Sequence, residues 1–95
     1  MGLVQVEAMR WVDEDSFPRV LEVRLTDVDG NAHLLVDKEP VLSAGDVAVP
    51  GRLDIDCSIG RVDGDRVTVT LEHGVTTASD RSTFVVSRSL VTFDA

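Results

Sequence analysis

The chain has 95 residues, of which 43% are hydrophobic and 4% aromatic, and its 17 acidic and 9 basic side chains give a formal net charge of −8. The length fits one domain spanning residues 1–95, and the hydrophobic fraction is too high for an intrinsically disordered chain. Nucleic acids and anionic membranes are bound chiefly through Lys and Arg, so this charge argues against both as partners and favours a basic protein.

The first predicted strand covers residues 3–12, where apolar and polar side chains alternate as they do in a strand with one buried face. The alternation fails at Met9 and Trp11, which indicates either a β-bulge or a stretch that is covered on both sides. A charged loop ends this strand, and it contains Asp13, Glu14 and Asp15.

Residues 19–27 and 32–38 are predicted to form a hairpin, because two alternating segments flank the pair Asp29-Gly30. Asp-Gly favours a tight two-residue turn, since both residues tolerate positive φ. The inward residues of the first strand are Leu21, Val23 and Leu25. Alternation in the second strand puts His33 on the outer face, and the inner face then carries Ala32, Leu34 and Val36.

The second half of the chain predicts another hairpin, with strands at residues 52–61 and 66–73 joined at Asp63-Gly64. Its inward residues are Leu53, Ile55, Cys57, Ile59, Val67, Val69 and Leu71. The outward side chains of the first strand include Asp54 and Asp56. Alternation places His73 at the inward end of the second strand.

The remaining segments are predicted to be short. Pro40 interrupts the strand pattern because it has no N–H to donate, and residues 43–51 are predicted as a loop with one helical turn after Ser43. Apolar residues at 83–86 and 90–93 indicate two further short strands.

Together these elements predict an all-β domain, either a small antiparallel, partly open barrel or a two-layer sandwich of five to seven strands. An exposed edge such as residues 82–93 would allow a homodimer to form. No apolar run approaches the roughly 20 residues of a membrane span, and the N-terminus lacks the features of a secretion signal. The predicted location is therefore the bacterial cytoplasm.

No motif in the chain predicts catalytic residues, a metal site or a cofactor. One cysteine, Cys57, excludes an internal disulfide and a multi-thiolate metal site, and its inward register predicts a buried thiol. The two histidines, His33 and His73, lack the spacing of metal ligands and have no nucleophile in a recognisable arrangement.

The acidic side chains are the best candidates for a functional surface, because attraction to a basic partner needs charge and no fixed geometry. The predicted partner-binding residues are Trp11, Asp13, Glu14, Asp15, Asp54 and Asp56. Trp11 is included because it falls where the alternation fails, beside the acidic loop. The alternative hypothesis is a small-molecule- or metal-dependent enzyme with a site at the barrel mouth, formed by these acids and His73.

A resemblance extends over about two-thirds of the chain. The residues that carry it are Arg10-Trp11-Val12-Asp13, Phe17-Pro18, Asp29-Gly30, Val36-Asp37-Lys38, Pro40-Val41 and Phe84-Val85-Val86. In these features the chain resembles a small family of all-β proteins from GC-rich actinobacteria. The resemblance implies a bacterial, cytoplasmic domain, and it transfers no activity and no site residue.

Overall fold

A computed structural model describes residues 2–13, 15, 17–42 and 47–93, which form one antiparallel sheet curled into a half-barrel. Its elements are β1 (Gly2–Asp13), β2 (Val20–Thr26), β3 (Ala32–Lys38), the helical turn α1 (Glu39–Leu42), β4 (Gly51–Asp63), β5 (Arg66–Leu71), β6 (Thr83–Ser87), a 3₁₀ turn (Arg88–Leu90) and β7 (Val91–Phe93). The partly open barrel is confirmed. None of the helical segments in the described ranges is long and apolar enough to cross a membrane.

The long strand β1 organises the sheet, whose strands follow the order β3-β2-β1-β4-β5-β6, with β7 also paired to β1. Curling of the sheet brings the β2–β3 turn against β6, where the Val28 N–H donates to the Val85 carbonyl at 2.9 Å. The His33 and Phe84 rings meet beside this bond, with centroids 4.9 Å apart. These contacts join the two ends of the curled sheet.

The core consists of the side chains that alternate inward, as the period-two pattern predicts. Its buried strand residues are Val4, Val6, Ala8, Leu21, Val23, Leu25, Leu35, Ile55, Cys57, Val67, Val69, Leu71, Phe84 and Val86. Leu53 and Ile59 are partly buried and pack against this cluster. The inward faces predicted for β2, β4 and β5 are confirmed.

Bulges bend the two longest strands. In β1 the pairing with β2 shifts between Ala8 and Arg10 and again between Trp11 and Asp13, so the predicted irregularity is confirmed. In β4 the pairing with β5 shifts between Ile59 and Val62, where Gly60 and Arg61 lie opposite the single residue Thr68. Each extra residue increases the local twist, which helps a sheet to curl.

The β2–β3 turn is longer than predicted, and the faces predicted for β3 are wrong. Thr26 pairs with Ala32 and Val23 pairs with Leu35, whereas a two-residue turn at Asp29-Gly30 would shift every pair by one. A one-residue shift exchanges the two faces of a strand. Leu35 is therefore buried and His33 points inward beside it. The exposed side chains of β3 include Ala32, Leu34 and Val36.

Asp27 explains the longer turn. Its carboxylate accepts the backbone N–H groups of Asp29 and Asn31 at 2.9 and 3.0 Å, and His33 Nε2 lies 2.8 Å from its second oxygen. Its own carbonyl accepts the Gly30 N–H, and Gly30 alone in this turn takes a positive φ, of 85°. The bonds from His33 and from the two amides hold the pKa of Asp27 below its ordinary value near 3.8.

Asp27→Asn is expected to destabilise the domain in a pH-dependent way. A lowered folded-state pKa gives the wild type stability that is present above the unfolded pKa, about 3.9, and that is lost as the pH falls through the folded value. The deficit of the variant in the free energy of unfolding should thus be greatest above about pH 5 and shrink in more acid solution. Urea titrations from pH 2.5 to 7 measure it. A deficit that is constant with pH would contradict this role of the carboxylate.

The connection from β3 to β4 begins with a helical turn that the sequence did not predict. The single helical turn forms at Glu39–Leu42, immediately after β3, where Leu42 is buried. The turn predicted after Ser43 falls on residues 43–46, which lie outside the described residues. Pro40 fits the first turn of a helix, since the N–H that proline lacks has no partner there.

Candidate functional site

The loop between β1 and β2 carries one of the two groups of predicted contact residues. We call Trp11, Asp13, Asp15 and Phe17 the acidic tip. Asp13 ends β1, and its carboxylate accepts the Asp15 N–H at 3.2 Å, which shapes the start of the loop. The Asp15 side chain is exposed. Glu14, also predicted as a contact residue, lies outside the described residues.

Phe17 is the exposed ring of the acidic tip. It is 99% exposed, whereas burying a phenylalanine is worth about 1.5–3 kcal/mol to a fold. Trp11, the aromatic residue that the sequence favours for contact, packs against the core instead, and the Arg19 guanidinium lies 4.1 Å from its ring. Arg19 is itself held by Glu39 at 3.0 Å. The ring of Trp11 is thus covered on this side, and Phe17 is the residue that sequence reasoning missed.

A signal for Phe17 does exist in the sequence. It stands outside both alternating segments, in a polar stretch before Pro18, where a buried strand position is not expected. A large apolar residue in a loop of this kind either covers the core or faces solvent. Choosing between the two needs the path of the loop, which the residue types do not specify.

The second group of predicted contact residues lies on the outer face of β4. Asp54 and Asp56 are exposed there, and His73 Nε2 is 2.8 Å from the Asp56 carboxylate. His73 does not point inward as predicted, because β5 ends at Leu71 and His73 forms a turn with φ of 61°. The Asp56 and His73 side chains are 47% and 51% exposed.

A groove of about 360 Å³ lies beside this pair. Its lining residues are Leu3, Pro40, Val41, Leu42, Asp54, Asp56 and His73. A carboxylate next to an imidazole is one component of general-base chemistry. Among the described residues, no group of three or more His, Cys, Asp and Glu side chains is placed to hold a metal ion.

The two acidic groups form two surfaces. Asp54 pairs with Gln5 near the start of β1, and Asp13 lies eight residues farther along the same strand. At about 3.4 Å per residue this separates them by roughly 25 Å. The acids that the sequence suggests as one patch are thus divided by the pairing of β1 with β4.

No protein-family model matches the chain, and comparisons with curated proteins and with solved structures gave no match either. The resemblance to the actinobacterial proteins stays a prediction. Any function proposed for this domain therefore rests on its own charges, exposed side chains and cavities.

Proposed function

We propose that this domain is a non-catalytic protein-interaction module that binds a basic protein partner through the acidic tip, in the bacterial cytoplasm. The observation that carries the proposal is Phe17, an aromatic ring 99% exposed in a loop that also presents the Asp15 carboxylate, next to the half-buried Asp13 at the end of β1. Interfaces concentrate their binding energy in a few aromatic anchors surrounded by polar residues. The acidic tip combines an anchor with a charged rim.

The charge of the domain supports a basic partner. The formal net charge of −8 attracts cationic surfaces and accelerates encounter with them. At physiological ionic strength salt screens charge interactions over a distance of about 8 Å. Asp13 and Asp15 are close to Phe17 in the chain, so their charges attract a cationic group that lies beside the bound Phe17 ring. Asp54 and Asp56, roughly 25 Å away by the strand rise, contribute mainly to the long-range field.

The test distinguishes three contributions to affinity: the Phe17 ring, the carboxylates beside it, and the net charge of the whole domain. The immobilised domain captures partners from host lysate at 50 and 500 mM salt, and each captured protein is then purified for affinity measurement. Phe17→Ser should lower affinity at both salt concentrations, and Asp13→Asn/Asp15→Asn should lower it mainly at low salt. The control is Asp63→Asn/Asp80→Asn, which removes the same charge from the exposed end of β4 and from the connection between β5 and β6.

The control double variant should retain most of the affinity, because its charges lie outside the acidic tip. Equal affinities for wild type and Phe17→Ser would refute the anchor. Equal losses in the two double variants would show that only net charge matters. Capture of acidic proteins alone would contradict the proposal as a whole.

A second candidate function is favoured by the Asp56–His73 pair beside its 360 Å³ groove. It is general-base chemistry on a small molecule or, with an added divalent ion, a metal-dependent reaction. A thermal-shift screen over metabolites and divalent ions tests it, because a ligand that binds only the folded state raises Tm. A hit should disappear in His73→Asn, and a flat screen excludes this function for the compounds used.

We also propose, from the edge at residues 82–93, that the domain can form homodimers. Within that segment β6 is the last strand of the sheet path, whereas β7 is paired with β1. The Val28 N–H covers part of the outer edge of β6, at the Val85 carbonyl, and the uncovered remainder of an edge strand is a template for a second chain. Light scattering from 10 μM to 1 mM should then show a mass that rises with concentration, and a constant monomer mass would refute the dimer.

A further inference from the structure

A second cavity lies on the edge of β1, at the point where this strand changes neighbours. β1 pairs with β7 through residues 2–4 and with β2 from Glu7 onward, so residues 5 and 6 lie between the two ladders. A crevice of about 450 Å³ opens there. We call it the arginine crevice, and its polar lining includes Gln5, Glu7, Arg24, Arg52, Ser87 and Ser89.

Two guanidinium groups flank one carboxylate in this crevice. Glu7 lies opposite Arg24 on β2 and opposite Arg52 on β4. The Arg24 Nη2 atom contacts both Glu7 oxygens, at 2.8 and 2.9 Å. Arg52 is exposed, and no hydrogen bond or ion pair joins it to any residue that the structure describes. The Arg52 guanidinium thus has all its donors free for a ligand, although the crevice lining as a whole also holds the Glu7 and Asp27 carboxylates.

Arg24 has a further donor without an acceptor. Its Nε atom is buried and forms no hydrogen bond within the described part of the chain. A buried polar atom left without a partner costs about 1–3 kcal/mol, so native structures nearly always satisfy such atoms with protein, water or ligand. Arg24 lines the crevice through the exposed part of its side chain, so that side chain must shift before Nε can donate to a bound oxygen atom.

We propose that the arginine crevice binds a carboxylate, carried either by a small organic acid or by the C-terminus of a peptide. Guanidinium forks match the planar carboxylate group. The hydroxyl groups of Ser87 and Ser89 line the same crevice, where they bond to each other at 3.1 Å while Ser87 donates to Asp65 at 3.3 Å, so the ligand would be held by the guanidinium groups. A phosphate dianion fits less well, because the Glu7 and Asp27 carboxylates lie in the same lining.

The peptide source draws support from the backbone. From Val4 to Glu7 the strand advances about 10 Å, which is room for one or two residues of an extended chain between the ladders. A strand end placed there would pair with residues 5 and 6, while its carboxylate met Arg24 and Arg52. Leu90 supplies an apolar contact for its last side chain. This surface is separate from the acidic tip, and its lining carries two guanidinium groups beside the Glu7 and Asp27 carboxylates.

The experiment is a ¹⁵N NMR titration at constant ionic strength with four probes: acetate, acetyl-trialanine as the free acid, the same peptide as its amide, and inorganic phosphate. Free acids should shift the amide signals of Gln5 and Val6 and the Nε–H signal of Arg24, with Kd on the order of millimolar. Acetate and peptide acid of equal affinity would identify a small-acid site. Peptide acid tighter by about tenfold or more would identify a peptide terminus.

Arg52→Gln should weaken binding of the free acids by about tenfold, because it removes the guanidinium that forms no bond with any described residue. Arg61→Gln is the matched control, since Arg61 is 82% exposed and lies in the β4–β5 hairpin outside the crevice. The proposal is overturned if the free acids do not bind, if the amide binds as tightly as the acid, if phosphate binds more tightly, or if both variants bind alike.

Discussion

Phe84→Ala is expected to lower the free energy of unfolding by about 3–5 kcal/mol, whereas Phe17→Ala should leave it unchanged within about 0.5 kcal/mol. The two substitutions delete the same atoms, so their difference measures the environment alone. Phe84 is 1% exposed and Phe17 is 99% exposed. The pair therefore separates the residue that holds the barrel together from the one proposed to face a partner.

The large effect follows from the place of Phe84 in the sheet. It lies on β6 at one end of the strand path, and its ring meets His33 from β3, the strand at the other end, at 4.9 Å. The Arg81 guanidinium also lies over the ring, 4.8 Å from its centroid. Alanine would leave a cavity at the point where the curled sheet closes on itself, and a cavity adds to the lost transfer free energy.

Urea and thermal unfolding of both variants measure the difference. A domain of this length has a total stability of about 5–14 kcal/mol, so the Phe84 variant should lose a large fraction of it. Its Tm should fall by more than about 10 °C. Equal Tm values for the two variants would contradict the burial pattern on which the barrel rests. A Phe17→Ala variant as unstable as Phe84→Ala would show that the loop packs on the core.

Strands and their buried faces were predictable wherever period-two alternation was long and unbroken. Leu21, Val23 and Leu25 are buried as expected, because a strand with one apolar face is stable only when that face is turned towards the core. The β3 faces were not predictable from the Asp29-Gly30 pair. That pair permits a tight turn, but Asp27 offers a side-chain acceptor that stabilises a longer one. A turn rule based on two residues takes no account of hydrogen bonds from the side chain of a third.

The functional surfaces were predictable only in part, because they depend on which strands are neighbours. The residue types correctly picked out exposed acids at Asp15, Asp54 and Asp56. They did not show that β4 pairs along the first half of β1, which separates the acids into two surfaces. The arginine crevice could not be predicted from the sequence either, because it forms only where one edge of β1 pairs first with β7 and then with β2.

Cys57 is expected to react with a thiol reagent such as DTNB more than about 100-fold more slowly in the folded domain than in the unfolded chain at pH 8. Burial, and secondarily the charge of Glu72, raises the pKa of the Cys57 thiol to about 11. The ordinary pKa on the same scale is 9.0, so the reactive thiolate is about a hundred times rarer in the folded state. Packing lowers the rate further, because the residue is fully buried between its β1 and β5 neighbours, Gly2 and Leu71.

The rate should also report how the barrel opens. If Cys57 reacts only through global unfolding, adding low concentrations of urea should accelerate modification in parallel with the loss of stability measured by circular dichroism. Modification that is fast and insensitive to urea would mean that the β1–β4 pairing near Gly2 opens by itself. Such local opening would contradict the closed core described for this end of β1. The same reagent in 6 M guanidinium chloride gives the unfolded reference rate.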